Sequence, residues 1–138
     1  MSRRAPYVFD TNVIVSAVLF ENGTPAKAFR LALQHGEILL SLELLEELSD
    51  VLERNKFNRF ISREERDEFL QAFVERATLI EVVETIQACR DAKDDKILEL
   101  ALSGEAEYII SGDRDLLVLN PFRDVKILTA EELLRTFS

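Results

Sequence analysis

The chain has 138 residues, of which 47% are hydrophobic and 31% charged, and these values suit one globular domain over residues 1–138. The formal net charge of -9 has the wrong sign for a protein that binds nucleic acid through phosphate neutralisation alone. With one cysteine and one histidine, an intramolecular disulfide, a familiar zinc site and a Ser-His-Asp or Cys-His triad are excluded. The lone Cys89 and the lack of an apolar run of about 20 residues predict a cytoplasmic protein without a membrane span. Asp10 and Asn12 interrupt the apolar run that follows the N-terminal "MSRR", so we expect no export signal.

Five short apolar segments alternate with helical ones along the chain. They cover residues 7–9, 37–41, 77–83, 107–111 and 125–129. Continuous apolar strands separated by helices are typical of a parallel sheet that is covered on both faces. We therefore predict an α/β fold with a helical insertion between the second and third strands.

Several helices carry start signals in the sequence. Thr24 precedes a proline and is expected to cap the second helix through its hydroxyl. Two further helices are predicted to begin with capping boxes, formed by Ser62 with Glu65 and by Thr129 with Glu132.

Acidic residues follow two of the predicted strands. Asp10 comes directly after the first strand, and Asp113 and Asp115 follow the fourth. Because ligands bind at the carboxyl ends of the strands in open parallel sheets, these acids are candidate ligand-binding groups. The structural alternative is that Asp10 caps the first helix and that the other two satisfy local turn amides.

The third helix, residues 42–53, contains acids but no basic residue. Its apolar stripe is predicted to consist of Leu44, Leu45, Leu48, Val51 and Leu52. Glu47 lies about 100° from Leu48 on the flank of this stripe, whereas the other acids fall further towards water. Glu47 is therefore the acid of this helix that we expect to lean towards the core.

The fifth helix begins with Asp91, Asp94 and Asp95, which complement the helix dipole and so have a full structural explanation. Periodicity does not choose between Asp94 and Asp95 as the one that faces the strand edge. Carboxylates gathered in one cleft repel each other unless a cation compensates them. With no histidine or cysteine available to these acids, the ligands are hard oxygens, which favour Mg²⁺ or Mn²⁺. Such a site suits phosphodiester hydrolysis with either one or two ions.

Four segments follow one another along nearly the whole chain: "YVFDTNVIVSA", "LLEELSDVLER", "DAKDDKILELA" and "EYIISGDRDLL". Together, in this order and spacing, they resemble the PIN-domain nucleases, and most of all the VapC-like toxins of prokaryotic toxin–antitoxin systems. The resemblance implies a three-layer α/β/α sandwich with a five-stranded parallel sheet, and divalent-dependent cleavage of RNA. It also implies a homodimer and a cognate antitoxin.

The resemblance also implies a role for individual residues. The catalytic, metal-binding acids would be Asp10, Glu47, Asp95 and Asp113, with Asp115 as a further metal ligand and Thr11, Asn12 and Ser111 in support. It favours Asp95 over Asp94 because Asp95 stands eighteen residues before Asp113. Asp91 and Asp94 would then be local features of the subgroup.

RNA binding by an acidic chain requires local basic groups. Candidates are Lys93, Lys96 and Arg114 among the acids, and Arg54, Lys56 and Arg59 in "RNKFNRF" together with Phe57 and Phe60. The structural alternative for that segment is a helix end with dipole-favouring cations and two core aromatics. With so few cations, RNA affinity should be modest and salt-sensitive.

Two other functions compete with a ribonuclease. A non-catalytic RNA- or protein-binding module on the same scaffold would be expected to lack one of the acids, yet all four positions are filled. A phosphatase of the haloacid dehalogenase type would need a second Asp two residues after Asp10, where this chain has Asn12.

Overall fold

The computed structural model describes residues 4–137 and contains one five-stranded parallel sheet. The strands lie in the order β3-β2-β1-β4-β5, and every neighbouring pair is parallel. Their bounds are β1 (Ala5–Phe9), β2 (Gly36–Leu40), β3 (Thr78–Leu79), β4 (Tyr108–Ile110) and β5 (Lys126–Leu128). The predicted parallel sheet is thus confirmed.

Seven α-helices connect or follow the strands. They are α1 (Thr11–Leu19), α2 (Thr24–His35), α3 (Leu42–Leu52), α4 (Arg63–Arg76), α5 (Ala92–Ser103), α6 (Arg114–Leu117) and α7 (Ala130–Phe137) in the described residues. A short 3₁₀ helix (Asn55–Phe57) lies between α3 and α4. These two helices and the 3₁₀ turn form the predicted insertion between β2 and β3.

Helices cover both faces of the sheet. Phe9 of β1 packs edge-to-face on Phe29 of α2, with ring centroids 5.2 Å apart. Ile38 is in register with Tyr7, two residues before Phe9, so the next residue, Leu39, points to the other face. There Leu39 lies against Gly104 at the end of α5. This is the expected three-layer α/β/α sandwich.

Local signals set most helix boundaries. Both expected capping boxes form, at the starts of α4 and α7. The apolar stripe of α3 packs into the core as predicted. The expected cap by Thr24 is wrong, because Gly23 occupies the N-cap position and Thr24 is already the first residue of α2.

The third strand is shorter than predicted. Only Thr78 and Leu79 pair with β2, and the chain then leaves the sheet without regular structure until α5 begins. Leu79 and Val83 are largely exposed. β3 is an edge strand and pairs with β2 alone. Pairing on one side does not keep the whole apolar run of residues 77–83 in the sheet.

The central strands β1 and β4 end side by side. The backbone amide of Asp10 donates to the carbonyl of Ile110 at 2.9 Å, so the residues after both strands emerge at the same sheet edge. Within residues 4–137, no helix combines the length and the apolar character needed to cross a membrane.

Candidate metal centre

Three aspartates converge at the carboxyl edge of β1 and β4. One carboxylate oxygen from each of Asp10, Asp94 and Asp113 lies within 4.8 Å of the others. Asp10 and Asp94 are buried and Asp113 is half-buried. We call this group the aspartate cluster; its carboxylates have the spacing and the chemistry to hold a divalent cation.

Asp10 occupies the N-cap position of α1, but its side chain makes no capping hydrogen bond within the described chain. Instead, Ser111 Oγ donates to Asp10 Oδ2 at 2.7 Å and accepts from the backbone amide of Asp113 at 3.0 Å. Ser111 is fully buried, so it ties the turn after β4 to the carboxylate after β1. Burial raises the pKa of Asp10, and the hydrogen bond from Ser111 partly opposes this.

Asp94 lies on the first turn of α5 and carries an unsatisfied oxygen. Its Oδ2 is buried and has no hydrogen-bond partner among residues 4–137. Burial, followed by the neighbouring Asp113 carboxyl, raises the pKa of Asp94 to about 7. A buried carboxylate oxygen without a donor is costly, and a cation bound among these carboxylates would remove that cost. The cluster therefore fits Mg²⁺ or Mn²⁺.

The structure places Asp94, rather than the expected Asp95, beside Asp10 and Asp113. Asp95 Oδ1 instead accepts hydrogen bonds from the backbone amides of Ala88 at 3.0 Å and Cys89 at 2.8 Å. Burial raises the pKa of Asp95, but these hydrogen bonds outweigh it and the net pKa is lowered. Adjacent helical residues point about 100° apart, so only one of the two acids faces the sheet edge.

Glu47 lies next to the aspartate cluster but outside it. It is half-buried on α3, as predicted, and Thr11 Oγ1 donates to its Oε2 at 3.2 Å. Lys93 Nζ lies 3.9 Å from the other oxygen. The charge of Glu47 also contributes to the raised pKa of Asp10. Glu47 thus acts on the cluster electrostatically, and Thr11, the residue after Asp10, holds its side chain.

Asp115, expected as a further metal ligand, is not one of the three converging aspartates. Its carboxylate pairs with the guanidinium of Arg90 at 2.8 Å. Its backbone amide donates to Asp113 Oδ1 at 2.8 Å, which fixes the orientation of that carboxylate. Arg90 was not singled out from the sequence, and the only available signal was its position directly before the acidic start of α5.

The expected substrate-binding cations occupy different surroundings. Lys96 pairs with Glu43 and lines, with Arg54 and Lys93, a groove of about 370 Å³ between α3 and α5. Arg114 is exposed at the start of α6, directly after Asp113. Of these cations, Lys93 is linked to the rim of the cluster through Glu47.

The "RNKFNRF" segment has two interpretations from its sequence, part of an RNA-binding surface or a helix end with two core aromatics, and neither interpretation fits fully. Lys56 lies over the ring of Phe57 at 5.0 Å, and Phe57 packs against the core. Phe60 is not a core residue, since it is 48% exposed and contacts Phe20 edge-to-face.

A cleft of about 410 Å³ opens at the aspartate cluster. It is lined by Asp10 and Asp113, by the polar side chains of Asn12 and Ser16, and by Gly112. A hollow of about 440 Å³ between α1, α2 and α4 includes none of the three aspartates. The cleft that includes Asp10 and Asp113 is therefore the one that can bring a substrate to the cluster.

Comparison with known proteins gives consistent matches. Residues 6–115 match the family model described as the PIN domain. The chain is 32% identical, over 114 residues, to the uncharacterized protein MJ1680 of Methanocaldococcus jannaschii, covering 81% of this chain and 73% of that protein.

Two solved structures share the fold. One is VapBC2 from Rickettsia felis, solved in complex with a DNA fragment from the VapBC2 promoter. It aligns with a TM-score of 0.56 and 17% identity, covering 89% of this chain and 96% of that chain. PAE2754 from Pyrobaculum aerophilum aligns with a TM-score of 0.60 and 14% identity, over 96% and 88% respectively.

Proposed function

Because the chain belongs to the PIN-domain family, we propose that it is a divalent-metal-dependent ribonuclease that hydrolyses phosphodiester bonds in RNA. The observation that carries this proposal is the aspartate cluster, in which Asp94 has a buried oxygen without a hydrogen-bond donor. Three converging carboxylates with an unsatisfied oxygen are poorly explained by folding alone, because their mutual repulsion costs stability.

Asp10, Asp94 and Asp113 would hold Mg²⁺ or Mn²⁺. When bound at such a site, a divalent ion lowers the pKa of an attacking water and stabilises the leaving oxygen. Asp94, with a pKa of about 7, would release its proton on metal binding, so metal affinity should rise with pH.

Neighbouring groups prepare the three carboxylates. Ser111 orients Asp10 by donating to its Oδ2, and the amide of Asp115 orients Asp113. Thr11 holds Glu47 at the rim of the cluster, where its negative charge adds to the attraction for a cation. In this proposal Asp95 is not a metal ligand.

Two protein partners belong to the same proposal, a cognate antitoxin and a second copy of this chain. The likeness to a VapBC2 structure supports a cognate antitoxin as a partner of this chain, which would make it the toxin of a pair. We include a homodimer in the proposal. Co-purification with the product of a neighbouring gene, and the molar mass in solution by light scattering, test these two points.

The activity is tested by cleavage of a mixed single-stranded RNA pool with Mn²⁺. We expect cleavage by the native chain, none with EDTA, and none by Asp10→Asn with its circular dichroism spectrum unchanged. Asp50→Asn, an exposed acid on α3, is the matched charge control and should cut normally. Cleavage that persists in EDTA or in Asp10→Asn contradicts the proposal, and RNA binding without cleavage favours the non-catalytic module.

A further inference from the structure

An extended segment, residues 83–90, lies along α5 and is bound to it by side chains. We call this segment the strap. Three α5 residues spaced four apart, and therefore on one face of the helix, accept hydrogen bonds from strap amides: Asp95, Glu99 and Ser103. The donors are the amides of Val83 and Glu84 to Ser103 Oγ, of Ile86 to Glu99 Oε2, and of Ala88 and Cys89 to Asp95 Oδ1.

The last residue of the strap is Arg90, and its side chain reaches Asp115, which stands two residues after Asp113 of the aspartate cluster. Its Nη2 lies 2.8 Å from Asp115 Oδ1, and the amide of Asp115 donates to Asp113 Oδ1. The two Asp95 hydrogen bonds hold the backbone directly before Arg90. A continuous series of contacts therefore runs from α5, through the strap, to a member of the cluster.

Stability does not explain this placement of Arg90. Its side chain is 86% exposed, and exposed ion pairs contribute little to folding. A guanidinium has five N–H donors in a planar fork, and within residues 4–137 one hydrogen bond uses them. The remaining donors face water at the edge of the site, where they can bind an anion.

Other cations near the cluster are less suited to this role. Lys93 and Lys96 both pair with carboxylates of α3, those of Glu47 and Glu43. Arg114 is exposed, and no hydrogen bond or ion pair joins its side chain to another described residue. Arg90 is the cation that the fold anchors to Asp115, whose amide in turn binds Asp113 of the cluster.

We propose that Arg90 binds a phosphate of the RNA next to the phosphate that is cut, and that Asp95 and Asp115 are positioning residues that hold its guanidinium there. This inference rests on the proposed ribonuclease function. Arginine binds phosphate oxygens in a bidentate manner, so its position would set the register of the strand relative to the cluster. An anchored cation also gives an acidic protein a local contact for a polyanion.

The test compares Arg90→Ala and Arg90→Lys with the native chain in steady-state RNA cleavage with Mn²⁺. We expect Arg90→Ala to lower kcat/KM by roughly 10- to 100-fold, because the strand loses its register. Arg90→Lys should recover part of this loss, since it restores the charge but not the fork. The slope of log affinity against log salt should fall by about 0.7 for the loss of one phosphate contact to a single strand.

Arg4→Ala is the matched control. Arg4 is an exposed arginine directly before β1, at the opposite edge of the sheet, and its loss should leave cleavage within twofold of the native chain. Mn²⁺ binding by calorimetry should be unchanged in Arg90→Ala, which separates a substrate contact from damage to the metal centre.

The positioning role of Asp95 is tested in two backgrounds. Asp95→Asn weakens the acceptor of the two strap amides before Arg90 and should lower kcat/KM in the native chain but not in Arg90→Ala. Glu99→Gln alters the next anchor, further from Arg90, and should have a smaller effect. A merely structural role for Asp95 would reduce activity equally in both backgrounds.

The outcomes separate this inference from the function on which it rests. If the native chain cuts RNA and Arg90→Ala behaves like Arg4→Ala in kcat/KM and in salt slope, the Arg90 inference is overturned and the ribonuclease stands. If the native chain binds RNA without cutting it, the salt dependence of binding is the remaining test of Arg90. An unchanged slope in Arg90→Ala then overturns the Arg90 inference, and a smaller slope supports the phosphate contact. If it neither binds nor cuts RNA, both proposals are overturned.

Discussion

Replacing Asp94 by Asn should stabilise the metal-free protein at alkaline pH. The carboxyl of Asp94 has an ordinary pKa of 3.8 when unfolded, and burial beside Asp113 raises it to about 7 in the fold. Between these values the folded state binds more protons than the unfolded state, so the free energy of unfolding falls as pH rises from about 4 to about 7. Asn cannot ionise and escapes this loss.

The size of the effect follows from the same two pKa values. At about 1.4 kcal/mol per pH unit, the difference between 3.8 and about 7 sets an upper limit of roughly 4 kcal/mol. Asp113, the neighbour of Asp94 in the cluster, lines a cleft that is open to water and counter-ions, and these lower the repulsion that the ionised Asp94 meets. We therefore expect Asp94→Asn to gain about 1–2 kcal/mol over the native chain between about pH 4.5 and about pH 8.5.

The assay is urea unfolding in EDTA at several pH values, followed by circular dichroism. Asp50→Asn again serves as the exposed control, and its difference from the native chain should vary less with pH. Saturating Mn²⁺ should reverse the order, because only the native chain gains the free energy of binding, about 2.7 kcal/mol at one hundred times Kd. A gain by Asp94→Asn that does not grow with pH would refute the burial argument.

Three further predictions concern the cluster and the core. Ser111→Ala removes the hydroxyl that donates to Asp10 and should weaken Mn²⁺ binding by roughly 10- to 100-fold in calorimetry; unchanged affinity would show that this contact does not orient the ligand. Asp113→Asn should abolish Mn²⁺ binding, whereas Asp115→Asn should keep it within about tenfold, since its carboxylate faces Arg90; equal losses would contradict the geometry. Leu98→Ala, at a fully buried position of α5, should lower the free energy of unfolding by about 2–5 kcal/mol in urea, and a loss below about 1 kcal/mol would contradict its place in the core.

Much of the fold could be predicted because its signals are local. The buried strands are uninterrupted apolar runs, and two helix starts are reciprocal capping pairs within four residues of sequence. The extent of β3 could not be predicted in this way. Its length depends on whether another strand lies outside it, and past Ile80 the chain bonds to side chains of α5 instead. Such a contact, between positions twenty residues apart, has no periodic signal.

In the candidate site, too, the residues set by local signals could be predicted and those set by tertiary packing could not. Asp10 and Asp113 could be predicted because the end of a parallel strand has a known location in the sheet. The choice between Asp94 and Asp95 depends on how α5 is rotated about its axis over β1 and β4, and that rotation is set by tertiary packing. The eighteen-residue spacing suggested by the resemblance selected Asp95, whereas the packing turns Asp94 to the cluster.

The adjacent Asp94 and Asp95 show how one helix turn can supply two acids with different properties. Asp95 accepts two backbone hydrogen bonds, which stabilise its charge and lower its pKa, so it is a fixed anion that holds the strap. Asp94 has an oxygen without a donor, and burial beside Asp113 raises its pKa to about 7, so its charge is poorly stabilised until a cation is present. Divergent pKa values in neighbouring acids indicate divided roles. Exchanging the two environments would require rotating α5 by about 100°, which its buried Leu98 and Leu100 prevent.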